Sequence, residues 1–161
     1  MIAAFDLTGR TALITGAGSP TGIGLAAARL LGHMGAAVHI TATTDRVHER
    51  VAELRADGID AAGSIADLTV EELVGALPAE IDLLVNNAGM ISVGEDFEDG
   101  SLAGMSLATW RAGLRRNLDT AFLVSRHLVP GMADRGWGRV VNVADRKSTR
   151  LNSSHAKVSR M

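Results

Sequence analysis

One glycine-rich turn constrains this chain more than any other feature. It reads Thr15-Gly16-Ala17-Gly18-Ser19-Pro20-Thr21-Gly22-Ile23-Gly24. Before it stands a short apolar run, Thr11 to Thr15, and after it a stretch of helical spacing from Gly22 to Met34. A strand that turns sharply into a helix needs glycine where the backbone doubles back and where helix and strand touch. The helix start offers free N–H groups and the positive end of the dipole, a natural seat for a pyrophosphate. On this reading Gly16 permits the tight turn, while Ser19, Gly22, Ile23 and Gly24 meet or approach the phosphates. The motif alone leaves a second reading open, a cluster of loop glycines with no ligand.

The rest of the chain keeps alternating strand with helix. Ala37 to Thr41 reads as a second strand, after a helix that stops at Gly35 and carries Ile23, Ala27, Leu30 and Leu31 on one side. Asp45 to Ala56 is a helix with Val47, Val51 and Leu54 inward, and Ile59 to Ile65 a third strand. Thr69-Val-Glu-Glu72 has the form of a capping box opening a short helix that Pro78 closes. Ile81 to Asn86 is an apolar run of the buried parallel type. A polar loop spans 90 to 106, a length that often carries function. A long helix follows, through Leu107, Trp110, Leu114, Leu118, Ala121, Phe122 and Ser125, with Trp110 and Phe122 read as packing residues. Gly136 and Gly138 lead into a fifth strand, Arg139 to Ala144. This order predicts an α/β, doubly wound parallel sheet of Rossmann-like form.

Charge and composition remove several alternatives. Sixteen Lys and Arg against eighteen Asp and Glu give a net charge of -2, so no electrostatic case arises for nucleic acid or an anionic membrane. There is no cysteine, hence no disulfide or thiolate site. The five histidines lack ligand spacing beside carboxylates, and no metal is expected. Asp6 and the lack of a long apolar run argue against a signal peptide or membrane span, so a cytoplasmic protein is the expectation.

Taken together, Thr15-Gly16 through Gly22-Ile-Gly24, Asn86-Asn-Ala-Gly89, Asn117 and Gly138-Arg-Val-Val-Asn142 resemble the short-chain dehydrogenase/reductase family over residues 5 to 144. One departure is visible: five residues separate Gly16 from Gly22, where the family's usual turn has three. The resemblance implies an NAD(P)-dependent oxidoreductase that passes a hydride between its cofactor and a carbonyl or alcohol, usually as a homo-oligomer. It implies that Asp67 and Leu68 border the adenine, and that Asn87, Ala88 and Gly89 line the cofactor's ribose. Asn117 would support a proton relay to the active-site lysine, and the long helix would form half of a dimer interface. Bland alternatives stand beside two of these, Asp67 as a turn or helix cap and Asn117 as a polar residue on a solvated face.

Cofactor choice is read after the second strand. No acid ends that strand; the run is Thr41-Ala-Thr43-Thr44-Asp45-Arg46. An acid there would bind the ribose hydroxyls of NAD and repel a 2′-phosphate. Thr43, Thr44 and Arg46 are compatible with that phosphate, and this part of the chain resembles β-ketoacyl-acyl-carrier-protein reductases. NADP(H) is therefore favoured over NAD(H), with Asp45 expected to cap the next helix.

The resemblance also implies a catalytic serine after Ala144, then tyrosine and lysine in a Tyr-x-x-x-Lys motif. Position 145 is Asp145, position 158 is Val158, and the chain contains no tyrosine at all. Asp145 to His155 resembles instead the translation of a common sequencing adapter, and Ser159 to Met161 fits its continuation. The expectation is an incomplete Rossmann-like domain over 1–144, truncated after the fifth strand, and a non-native or disordered tail over 145–161. Two functions remain open: the front of an oxidoreductase, inactive as it stands, or a non-catalytic dinucleotide-binding or dimerisation protein. A methyltransferase is a distant third, since it gives no reason for Asn86-Asn-Ala-Gly89.

Overall fold

The computed structural model describes residues 6–89 and 103–144. The expected tail over 145–161, and most of the expected loop over 90–106, lie outside these residues. Five strands form one sheet: β1 (Thr11–Ile14), β2 (Ala37–Ala42), β3 (Ala61–Ile65), β4 (Leu83–Asn86) and β5 (Arg139–Asn142). All neighbours run parallel, in the order β3-β2-β1-β4-β5.

Helices cross between the strands: α1 (Ile23–His33), α2 (Arg46–Ala56), α3 (Glu71–Gly75), α4 (Leu107–Leu114) and α5 (Thr120–Asp134). A π-helical turn, Arg115–Asp119, joins α4 to α5. Side chains along a strand alternate between faces, so one sheet feeds two cores. Ala12 and Ile14 belong to the core shared with α1 and α2, whereas Leu13 between them belongs to the core under α3 and α5. Val85 and Leu84 on β4 divide in the same way.

Three local expectations change. The inner face of α1 is Gly24, Leu25 and Ala28, not the Ile23–Leu30 side; Ile23 is 61 % and Leu30 62 % exposed. Small residues there let the helix lie close to the sheet. Thr69 does not cap α3, whose N-cap position is Val70 with no side-chain bond. The Thr69 N–H and hydroxyl donate instead to Asp67. On the long helix, Thr120, Val124, Leu128 and Met132 face inward, while Trp110 and Phe122, read as packing residues, are exposed.

Candidate functional site

The strand order reverses between β1 and β4, where consecutive crossovers leave toward opposite sides and a crevice opens at the carboxyl ends of the strands. The turns after these two strands are stitched together through Thr15. Its buried hydroxyl accepts the N–H of Asn87 at 2.9 Å and of Ala88 at 3.0 Å, and donates to the Val85 carbonyl at 3.3 Å. The Asn87 amide returns the link, donating to the carbonyls of Thr15 at 3.0 Å and Gly16 at 3.1 Å. Gly16 has φ +69°, and a Cβ on it would lie 2.8 Å from the Ala88 Cα. Only glycine allows this approach of the two turns.

Beyond that seam lies a cleft of about 690 Å³. Its floor is the glycine turn, with Gly16, Ser19, Gly22 and Ile23 on the surface. Gly22 is the N-cap of α1, and neither a capping side chain nor a first-turn acid neutralises that helix end. Backbone N–H groups and the positive dipole end therefore remain for an anion. A second wall comes from the end of β2 and the start of α2, through Thr43, Thr44 and Arg46, and Arg46 Nε donates to Thr44 Oγ1 at 3.1 Å. Asp45 holds the N-cap position of α2 without a side-chain bond, and it does not line the cleft. At the base of this wall the Thr41 hydroxyl is buried with no hydrogen-bond partner among the described residues. Asn87, Ala88 and Gly89 line a third side.

Asp67 and Leu68 line the far end, after β3. The side-chain and backbone donors of Thr69, with the more distant charge of Arg115, hold the Asp67 carboxyl below the usual carboxylate range. Asp67 thus caps a turn and borders the cleft at once.

The cleft gathers every expected cofactor residue except Gly24. That glycine lies behind the seam, where a Cβ would meet Asn87 Nδ2 at 2.7 Å and the Gly16 carbonyl at 3.0 Å. Its place is helix-to-turn packing. Asn117 sits on the π-helical turn, outside the lining, with its amide donating to the Gly113 carbonyl at 2.9 Å. Its Oδ1 fills the space beside Gly89, 2.5 Å from where a Cβ would stand. Sequence reasoning missed Arg115 and Arg116, which both reach the cleft from that turn. No local pattern marks them, since arginines on a polar helix face read as solvated.

The family model for short chain dehydrogenase matches residues 10–154. The chain belongs to this family. Among curated relatives, it is 35 % identical over 146 residues to a 3-oxoacyl-(acyl-carrier-protein) reductase of Pseudomonas aeruginosa, covering 86 % of this chain and 56 % of that protein. A metagenomic short-chain oxidoreductase solved in complex with NADP is 33 % identical, with TM-score 0.76, over 87 % of this chain and 64 % of the other. A gluconate 5-dehydrogenase of Burkholderia cenocepacia, solved with NADP and tartrate, is 30 % identical, with TM-score 0.75, over 97 % of this chain and 58 % of the other. This short-chain dehydrogenase spans about half the length of the curated relatives it matches. Among its described residues no helix is long and apolar enough to cross a membrane, and no group of three or more His, Asp or Glu could hold a metal ion.

Proposed function

We propose that this chain is the dinucleotide-binding part of an NADP(H)-dependent oxidoreductase acting on a small carbonyl or alcohol substrate, working as a homo-oligomer in the cytoplasm. One observation carries the cofactor reading: a cleft at the switch point joins an uncapped helix N-terminus to a wall of Thr43, Thr44 and Arg46. The pyrophosphate meets Ser19, Gly22 and Ile23, the adenosine lies toward Asp67 and Leu68, and the ribose next to nicotinamide lies along Asn87, Ala88 and Gly89. With Asp45 outside the lining, hydroxyls and a guanidinium meet the 2′-phosphate. Two solved relatives were crystallised with NADP, which supports this choice of cofactor. When bound, the nicotinamide supplies or accepts a hydride. The protein must move the matching proton, and the phenol that a tyrosine would bring for this is missing from the sequence. Asn117 keeps its place beside the cofactor side of the site as a positioning residue.

The chain as it stands therefore binds dinucleotide without turning it over. Fluorescence titration with NADPH and NADH tests the first half. Binding of NADPH should exceed that of NADH, and Arg46→Ala should weaken NADPH alone by about 10- to 150-fold, the effect of one charge-assisted contact of roughly 1.5–3 kcal/mol. Equal affinities in the unsubstituted protein would overturn the preference for NADP(H). Turnover of a ketone by this chain would overturn the claim that the missing phenol matters.

A further inference from the structure

We propose that Arg115 is a purine-binding residue of the cleft, its guanidinium lying over the purine of the dinucleotide against the Asp67–Leu68 edge. This inference rests on the dinucleotide reading above and names a residue for its adenine end.

Three observations converge on it. Arg115 opens the π-helical turn and lines the cleft, as Ala112, Arg116 and Thr120 do from the same stretch of helix. A π turn widens the helix locally and re-aims its side chains, a device common at functional sites. The facing edge is preorganised. Leu68 is buried apart from its cleft surface, and the Asp67 carboxyl is anchored by two donors of Thr69. Finally, Arg115 and Asp67 sense each other electrostatically, yet no ion pair joins them among the described residues. Their charged atoms therefore lie more than 4 Å apart along one cleft that both residues line, and the guanidinium is not engaged by that carboxylate.

The charge pattern selects a base over a phosphate at this point. A phosphate beside Arg115 would also face the Asp67 carboxylate, whereas Thr44 and Arg46 offer a wall without an acid in the lining. A neutral purine suffers no such repulsion. It gains cation–π and stacking contact with the planar guanidinium, worth about tenfold or more in affinity per base. Lysine keeps the charge but not the plane.

Titrations of NADPH and NADH by fluorescence, and of AMP by displacement of NADPH, test the proposal. Arg115→Ala should weaken all three by a similar factor, about tenfold. Arg115→Lys should recover little of the loss. Because the residue is exposed, the melting temperature should stay unchanged. Unchanged AMP binding in Arg115→Ala would overturn the proposal. So would a loss confined to NADPH, which would make Arg115 a phosphate ligand, or full recovery in Arg115→Lys, which would make its charge sufficient. Failure of the unsubstituted protein to bind any of the three would instead remove the dinucleotide reading, and this inference with it.

Discussion

The Thr15 hydroxyl holds one acceptor and two donors in a space closed to water. Valine has nearly the same shape but would leave the N–H groups of Asn87 and Ala88 without that partner. Each buried donor left so costs about 1–3 kcal/mol. Thr15→Val should therefore lower the unfolding free energy by roughly 2–5 kcal/mol in a urea titration, while Thr15→Ser should retain most of it. A valine variant as stable as the parent would show that the seam between the turns is not hydrogen-bond limited. At this scale the sequence was informative about type more than place. Gly16, Ser19, Gly22 and Asn87 were legible because backbone geometry near a phosphate restricts residue choice. Arg115 was not, because a guanidinium on a polar helix face looks alike whether it meets a cleft or solvent.

Helix α1 shows what periodicity leaves undecided at the scale of an element. Ile23, Ala27, Leu30 and Leu31 form an apolar stripe in sequence, yet the buried set is Gly24, Leu25 and Ala28. Ile23 is instead spent on the cleft, and the seam between Gly16 and Asn87 leaves room only for hydrogen at position 24. Gly24→Ala inserts a methyl group against the Asn87 side chain and the Gly16–Ala17 backbone and should cost about 1–3 kcal/mol, despite alanine's better helix propensity of roughly 1 kcal/mol. Thermal unfolding would settle the sign: a stabilised variant would mean the turn can retreat. The capping box before α3 failed for a related reason. The Asp67 carboxylate takes both the Thr69 N–H and its hydroxyl hydrogen in a turn two residues long, and α3 starts one residue later, with Val70 at the N-cap.

At the scale of the molecule, a run of apolar surface stays exposed among the described residues. Leu107, Trp110, Leu114, Leu118 and Phe122 form an exposed stripe along α4 and α5, and every residue of β5 is exposed. Contiguous apolar surface and an open strand edge both drive association. The chain should sediment as a concentration-dependent oligomer or aggregate, and Phe122→Glu should shift it toward smaller species. A monomer at all concentrations, indifferent to Phe122→Glu, would contradict this.

The sequence by itself determined the order of strands and helices, the parallel winding and the identity of the glycine turn. These depend on local periodicity and on backbone conformations that few residues can adopt. Only the tertiary structure decided which face of each helix is buried, that Gly24 packs while its neighbours Gly22 and Ile23 meet the cleft, and that Arg115 lines the same cleft as Asp67 from 48 positions away in sequence. Such choices arise where distant segments compete for the same space, and no local pattern records the outcome.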